Sequence, residues 1–149
     1  MNRRTLAAIS RLAVLLAVAL LTGCAEPGPE LSAPQAHAEA TGGGLRLIDI
    51  RTPREWRQTG VGEGVYRVDM AQRGGTKAFV AEVLDLTNDD KAVPIALICA
   101  TGNRSTRMQR RLSAEGFSEV YNVREGMLGG GAGPGWVRRG LPLIPCPNC

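Results

Sequence analysis

Histidine is nearly absent from this sequence: His37 is the one imidazole in 149 residues. Catalysis by a cysteine or serine paired with a histidine base would have to be built on that single residue, and a metal centre of several histidines is excluded. Aromatic residues make up 4% of the chain, too few for the interleaved basic and aromatic surfaces that bind nucleic acid. An excess of one charge is lacking as well. Of 18 basic residues against 14 acidic ones, Arg3, Arg4 and Arg11 fall within the first 23 residues, which hold no acid. The remainder is close to neutral, so the charge balance offers no pull toward a nucleic acid partner. Nor is any apolar run long enough to cross a bilayer as a helix: Leu12 to Leu21 is ten residues, about half of the ~20 required.

That short run, preceded by three arginines, has the layout of a signal peptide. It ends in Leu21-Thr22-Gly23-Cys24, which resembles a bacterial lipobox. Residues 1–23 are therefore expected to be a lipoprotein-type signal peptide, with Cys24 the lipidated residue. The protein is expected on the periplasmic side of the membrane, attached through lipid alone. Ala25 follows the cysteine; in bacteria where Asp at that place retains lipoproteins in the inner membrane, Ala favours the outer one. Residues 24–30 read as a tether, 31–143 as one domain, and 144–149 as a tail ending in Cys146-Pro147-Asn148-Cys149.

Within the domain, helix signals alternate with short apolar runs. Ser32 caps a helix over Pro34 to Ala40, stopped by Gly42-Gly43-Gly44. His37 falls on that helix and is expected at the surface. Leu45 to Ile50 is a strand, and Thr52 caps a helix over Pro53 to Gln58. Gly60 to Gly64 reads as a loop, Val65 to Asp69 as a short strand, and Thr76 to Leu86 as a helix. Pro94 to Ile98 is a buried strand, a helix opens at Ser105, and Val120 to Val123 is a further strand. The glycine-rich stretch from Gly126 to Gly140 reads as loop, with Trp136 as a core plug. This alternation predicts an α/β fold, a parallel sheet with helices on both faces.

The chemistry concentrates at Cys99. It ends the apolar run and is followed by Ala100-Thr101-Gly102-Asn103-Arg104-Ser105, which leads into a helix. That layout puts the sulfur at the C-terminal edge of the sheet, where loop N–H groups and a helix N-terminus favour negative charge. A cysteine nucleophile works as its thiolate, and a free thiol is mostly protonated at neutral pH.

The Asp49-Ile50-Arg51-Thr52-Pro53-Arg54-Glu55-Trp56 run, the Cys99 to Ser105 loop, Gly126-Met127, Trp136 and Gly140-Leu141-Pro142 together resemble the single-domain rhodanese family over residues 31 to 143. The resemblance implies a sulfurtransferase in which Cys99 takes a sulfane sulfur from a small donor. Cys99 then holds the sulfur as a persulfide and passes it to a thiol or cyanide-like acceptor, a protein thiol being a further candidate partner. Residues Ala100, Thr101, Gly102, Asn103, Arg104 and Ser105 would cradle the persulfide, with Arg104 closing the loop. Asp49 and Arg51 would support the site. No cofactor and no metal is called for. Ala100 stands where many family members carry a basic residue, which weakens the case for an anionic donor such as thiosulfate. The Gly-His-Ile element common in the family is absent, and Gly129-Gly130-Gly131 is longer than usual.

Two other readings remain. A cysteine-dependent phosphatase or arsenate reductase shares the strand–loop–helix layout but places five residues between Cys and Arg; here four separate Cys99 from Arg104. A non-catalytic binding or redox module is the other. The terminal Cys146 and Cys149 lack the further ligands a structural zinc needs, so they read as a small disulfide or as a redox pair serving Cys99, which is expected to stay free.

The leader yields a direct prediction. Cys24→Ala should move the processed protein from the membrane to the soluble fraction, because two or more acyl chains are what give stable anchoring. Fractionation checks it, and a processed variant that stays with membranes places the anchor elsewhere.

Overall fold

The computed structural model describes residues 28–149; the leader, Cys24 and most of the tether lie outside the described residues. In chain order the elements are α1 (Ala33–Thr41), β1 (Arg46–Asp49), α2 (Pro53–Thr59), β2 (Val61–Gly62), β3 (Tyr66–Arg67), α3 (Gly75–Leu86), β4 (Ile95–Ile98), α4 (Asn103–Ala114), β5 (Val120–Asn122), α5 (Gly135–Arg138) and β6 (Leu143–Ile144). None of the described helices is long and apolar enough to cross a membrane.

Local chemistry explains the helix starts. Ser32 and Gln35 form a reciprocal capping box at α1, and Thr52 and Glu55 form another at α2, each with proline in the first turn. Such pairs satisfy N–H groups that the helix itself cannot. Four strands make one parallel sheet in the order β3-β1-β4-β5. In its register Asp49 lies beside Arg67 on one side and Ile98 on the other. Residues Pro29 to Leu31 extend the free edge through hydrogen bonds with Asn122, each 3.0 Å long.

Alternation along the strands divides the core between two faces. Ile48, Ile50, Ile95, Leu97 and Cys99 pack with Phe79 and Val83 of α3 and Met108 and Leu112 of α4. Leu47, Ala96 and Ile98 pack on the other face with Ala33 and Ala36 of α1 and with Trp136 of α5. The expected α/β fold with helices on both faces is what the chain adopts. All four residues of β4 are buried, as a central parallel strand requires.

The structure departs from the sequence reading in four places. The first two lie beyond the central sheet. Val61–Gly62 is not loop but a strand, paired antiparallel with Leu143–Ile144, so the segment leading to the terminal cysteines is fastened to the domain. Gly135–Arg138 is a short helix within the glycine-rich stretch; two- and four-residue elements are too short to show a period. The third departure is that α4 starts at Asn103, two residues before Ser105. Lastly, His37 is not a surface residue. It is half-buried, its ring packed edge-on against Trp136 with centroids 5.3 Å apart.

Glu125 ties this face together. Its carboxylate accepts from the backbone N–H of Ala33 and Gly135 and from Arg139 Nε. Burial pushes its carboxyl upward, but those three donors outweigh burial and hold it below the ordinary value. Trp136 is fully buried and its indole N–H donates to Pro142 O at 3.0 Å. Trp136→Ala should therefore cost about 3–5 kcal/mol, measured as a fall in the urea midpoint; a loss under about 1 kcal/mol would show that the cavity collapses at little cost.

Candidate active site

The loop after β4 is shaped by a backbone that only glycine accepts. Gly102 has φ 87°, and a Cβ there would overlap the Arg124 carbonyl. This left-handed residue turns the chain so that its own N–H donates to Cys99 Sγ at 3.2 Å. Across the loop, Gly126 has φ 66° and a Cβ there would collide with the Ala100 carbonyl. That close approach lets Met127 and Leu128 donate their N–H groups to the carbonyls of Cys99 and Ala100, at 2.8 and 2.9 Å. The segment after β5 thus clamps the loop from outside.

Cys99 is free and buried, with 1% of its surface exposed. The Ser105 hydroxyl lies 3.4 Å from its sulfur and 3.1 Å from the Gly102 carbonyl, so its one proton can be given to either. The first intrahelical bond of α4 runs from Thr106 N–H to Gly102 O, so the N–H groups ahead of it have no partner within the helix and face the loop. Sulfur, one loop amide, one hydroxyl and the positive end of a helix converge on one point. The arrangement can hold an anionic sulfur and presents no base beside it.

Arg104 reaches out of the loop to α2, to a residue whose role the sequence did not disclose. Its guanidinium grips the Glu55 carboxylate with two bonds, Nη1 to Oε2 at 2.9 Å and Nη2 to Oε1 at 2.5 Å. Glu55 also accepts from the Thr52 N–H and hydroxyl at 3.0 and 2.8 Å. The Thr52-x-x-Glu55 spacing is legible as a cap, but nothing local indicates that the same carboxylate reaches the cysteine loop. Arg104 holds the Glu55 carboxyl at about 2, against an ordinary 4.5. Glu55 in turn raises the pKa of Arg104, with a smaller contribution from Cys99.

Asp49 and Arg51 lie elsewhere. Asp49 shares a row with Ile98, and alternation sends it to the face opposite Cys99. Both side chains are almost fully buried. Arg51 Nε meets both Asp49 oxygens at 2.9 Å, and its other nitrogens donate to Thr59 Oγ1 at 2.6 Å and Gly60 O at 2.9 Å. The pair fixes the C-terminal end of α2 to the end of β1 and makes no hydrogen bond to the cysteine loop. Beside the loop, Thr101, Asn103 and Arg124 with Glu30 and Gly130 to Ala132 line a groove of about 620 Å³. Cys146 and Cys149 form a disulfide outside this groove.

Fold and site define a class: an α/β domain whose free, buried cysteine follows a central parallel strand and is enclosed by a short loop leading into a helix. Residues 32–131 match the model of the rhodanese-like domain, and the chain belongs to that family. An uncharacterized protein of Rickettsia conorii is 29% identical over 98 residues, covering 64% of this chain and 80% of the relative. Among solved structures, M. tuberculosis Rv0390 is 28% identical with a TM-score of 0.61, covering 80% of this chain and 98% of its own. The polysulfide-sulfur transferase of Wolinella succinogenes is 26% identical with a TM-score of 0.57, covering 79% of each chain.

The Glu55–Arg104 pair carries a pH signature. A carboxyl whose folded-state pKa is depressed contributes stability that is complete above the unfolded value, near 4.5, and is lost as pH falls toward 2. Glu55→Gln should cost of order 1–2 kcal/mol at neutral pH. Urea melts from pH 7 to 2 should show the gap to wild type closing between about 4.5 and 2. A gap independent of pH would remove the ion pair as its cause.

Proposed function

We propose that the protein is a sulfurtransferase that carries a sulfane sulfur as a persulfide on Cys99. One observation supports this above the others: a free, buried thiol met by the Gly102 N–H and the Ser105 hydroxyl, with the sole histidine packed against Trp136 on the other face of the sheet. Persulfide transfer needs a nucleophilic sulfur and donors for negative charge, and no acid–base relay.

In the first half-reaction the Cys99 thiolate attacks the outer, sulfane sulfur of a donor. The donor's S–S bond breaks, and the remainder leaves as sulfide or thiolate. In the second, an acceptor thiolate or cyanide attacks the outer sulfur of the persulfide. The bond between the two sulfurs breaks and Cys99 leaves as the thiolate. The loop's task is the same in both halves, to hold negative charge on sulfur without moving. Polysulfide or a protein persulfide fits as donor better than thiosulfate, because Ala100 brings no cation to a dianion. The similarity to a polysulfide-sulfur transferase favours the same choice.

A phosphatase reading fits less well. Four residues between Cys99 and Arg104 make a ring smaller than a tetrahedral oxyanion requires, and Arg104 is already engaged by Glu55. A binding module without catalysis would not need a free thiol so placed. We further propose export and lipid attachment at Cys24, on the leader's layout.

The experiment is a mass measurement. Incubated with polysulfide, the wild type should gain one sulfur on Cys99 and lose it on addition of cyanide. Cys99→Ser should gain none at that position while keeping its circular dichroism spectrum, because a serine oxygen is similar in size but cannot form a persulfide. Retained transfer by a folded Cys99→Ser protein overturns the assignment.

A further inference from the structure

The Cys146–Cys149 disulfide is held by a cation that has no charged partner among the described residues. Arg67, the last residue of β3, donates from Nη1 to Cys146 Sγ at 2.9 Å and to Cys149 Sγ at 2.5 Å. Its guanidinium carbon lies 6.0 Å from the centroid of the Trp56 ring. Among the described residues Arg67 makes no salt bridge. A disulfide is neutral, so this charge goes uncompensated in the oxidised state. In the reduced state a thiolate there would gain an ion pair. A neighbour that favours the thiolate over the disulfide marks an exchangeable pair rather than an inert staple.

The pair also lies at the same end of the sheet as the cysteine loop. Arg67, Asp49 and Ile98 share one row of the sheet, and Cys99 follows Ile98, so both sulfur sites lie at the C-terminal end of the sheet, with Arg67 directed to the face opposite Cys99 and the tail left to cross the edge between them. β3 and β4 are separated by β1 alone, which sets them about 10 Å apart. Three consecutive residues of α2 connect the sites: Glu55 grips Arg104, Trp56 lies beneath Arg67, and Arg57 donates to the Cys149 carbonyl. Cys149 lines a hollow with Pro53, Trp56 and Asp69 at that edge. Beyond β6, which ends at Ile144, the segment to Cys149 can span roughly 16 Å when extended.

We propose that the reduced Cys146–Cys149 pair is an internal acceptor that resolves the Cys99 persulfide and releases its sulfur as hydrogen sulfide, which rests on the reading of Cys99 as a persulfide carrier. The Cys149 thiolate attacks the outer sulfur on Cys99; that S–S bond breaks and Cys99 departs as thiolate. Cys149 now carries the persulfide. The Cys146 thiolate attacks the Cys149 Sγ, forming the disulfide seen here and expelling HS⁻. The dithiol is oxidised by two electrons and the sulfane sulfur is reduced by two. An external dithiol resets the pair by exchange and becomes a disulfide itself. Arg67 is a positioning residue in this scheme, holding both thiolates at the sheet edge.

The test uses the full chain, reduced with a dithiol, freed of reductant and loaded with one equivalent of polysulfide. Thiols are alkylated at intervals, and peptides and released sulfide are quantified. In wild type the Cys99 persulfide should decay as one equivalent of sulfide and the Cys146–Cys149 disulfide peptide appear together. In the C146S/C149S variant the persulfide should last about tenfold longer or more. Arg67→Ala should slow the decay, and Arg67→Lys should restore part of it, which a merely structural tail would not do. If Cys99 loads and the persulfide lasts equally long in wild type and double variant, the internal acceptor is overturned while the sulfurtransferase reading stands. If Cys99 fails to load in wild type, both fall.

Discussion

The site depends on one close backbone approach, the contact between the turn at Gly102 and the segment from Arg124 to Leu128. A chain leaving a buried parallel strand ordinarily runs outward. Here the left-handed turn at Gly102 folds it back until an N–H meets the sulfur three residues earlier. Gly102 and Gly126 bring the two backbones within a distance that no Cβ tolerates. Once that approach is made, the remaining features follow from it. α4 must start at Asn103, its N-terminus must face Cys99, and Ser105 must lie beneath the sulfur.

Two ion pairs with different tasks support this turn. Asp49 and Arg51 are buried out of reach of solvent, and every charged nitrogen and oxygen between them is bonded. A pair so desolvated adds less net stability than its short distances suggest, but it specifies one geometry for the β1–α2 connection. Glu55 and Arg104 are partly exposed and link α2 to the cysteine loop. Since Glu55 also caps α2, the starts of α2 and α4 are coupled through one carboxylate.

The same helix faces the second sulfur site. Along a single turn of α2, Glu55 serves the cysteine loop while Trp56 and Arg57 serve the terminal pair. The guanidinium of Arg67 and the short β2–β6 ribbon hold the two cysteines at the C-terminal end of β3. One short helix thus touches both the loop that holds the free Cys99 and the disulfide-bonded terminal pair.

Sequence alone determined whatever rests on neighbours a few residues apart. Ser32 with Gln35 and Thr52 with Glu55 announced two helix starts, because a cap needs only a three-residue spacing. The apolar runs at Leu45 and Pro94 between helical segments announced a parallel sheet. Cys99 at the end of the second run placed a free thiol at the sheet's C-terminal edge. What tertiary structure alone decided involves partners distant in the chain. Glu55 meets Arg104 at a separation of 49 residues. Arg67 meets Cys146 at 79, and β2 pairs with β6 across the whole domain. His37 turned inward because α1 packs over Trp136, which lies in a stretch that reads as loop. Short-range spacing specifies an element and its ends. Which side chain of one element lies against which of another is settled only when the faces pack, because the burial that selects those partners does not exist until the chain has folded.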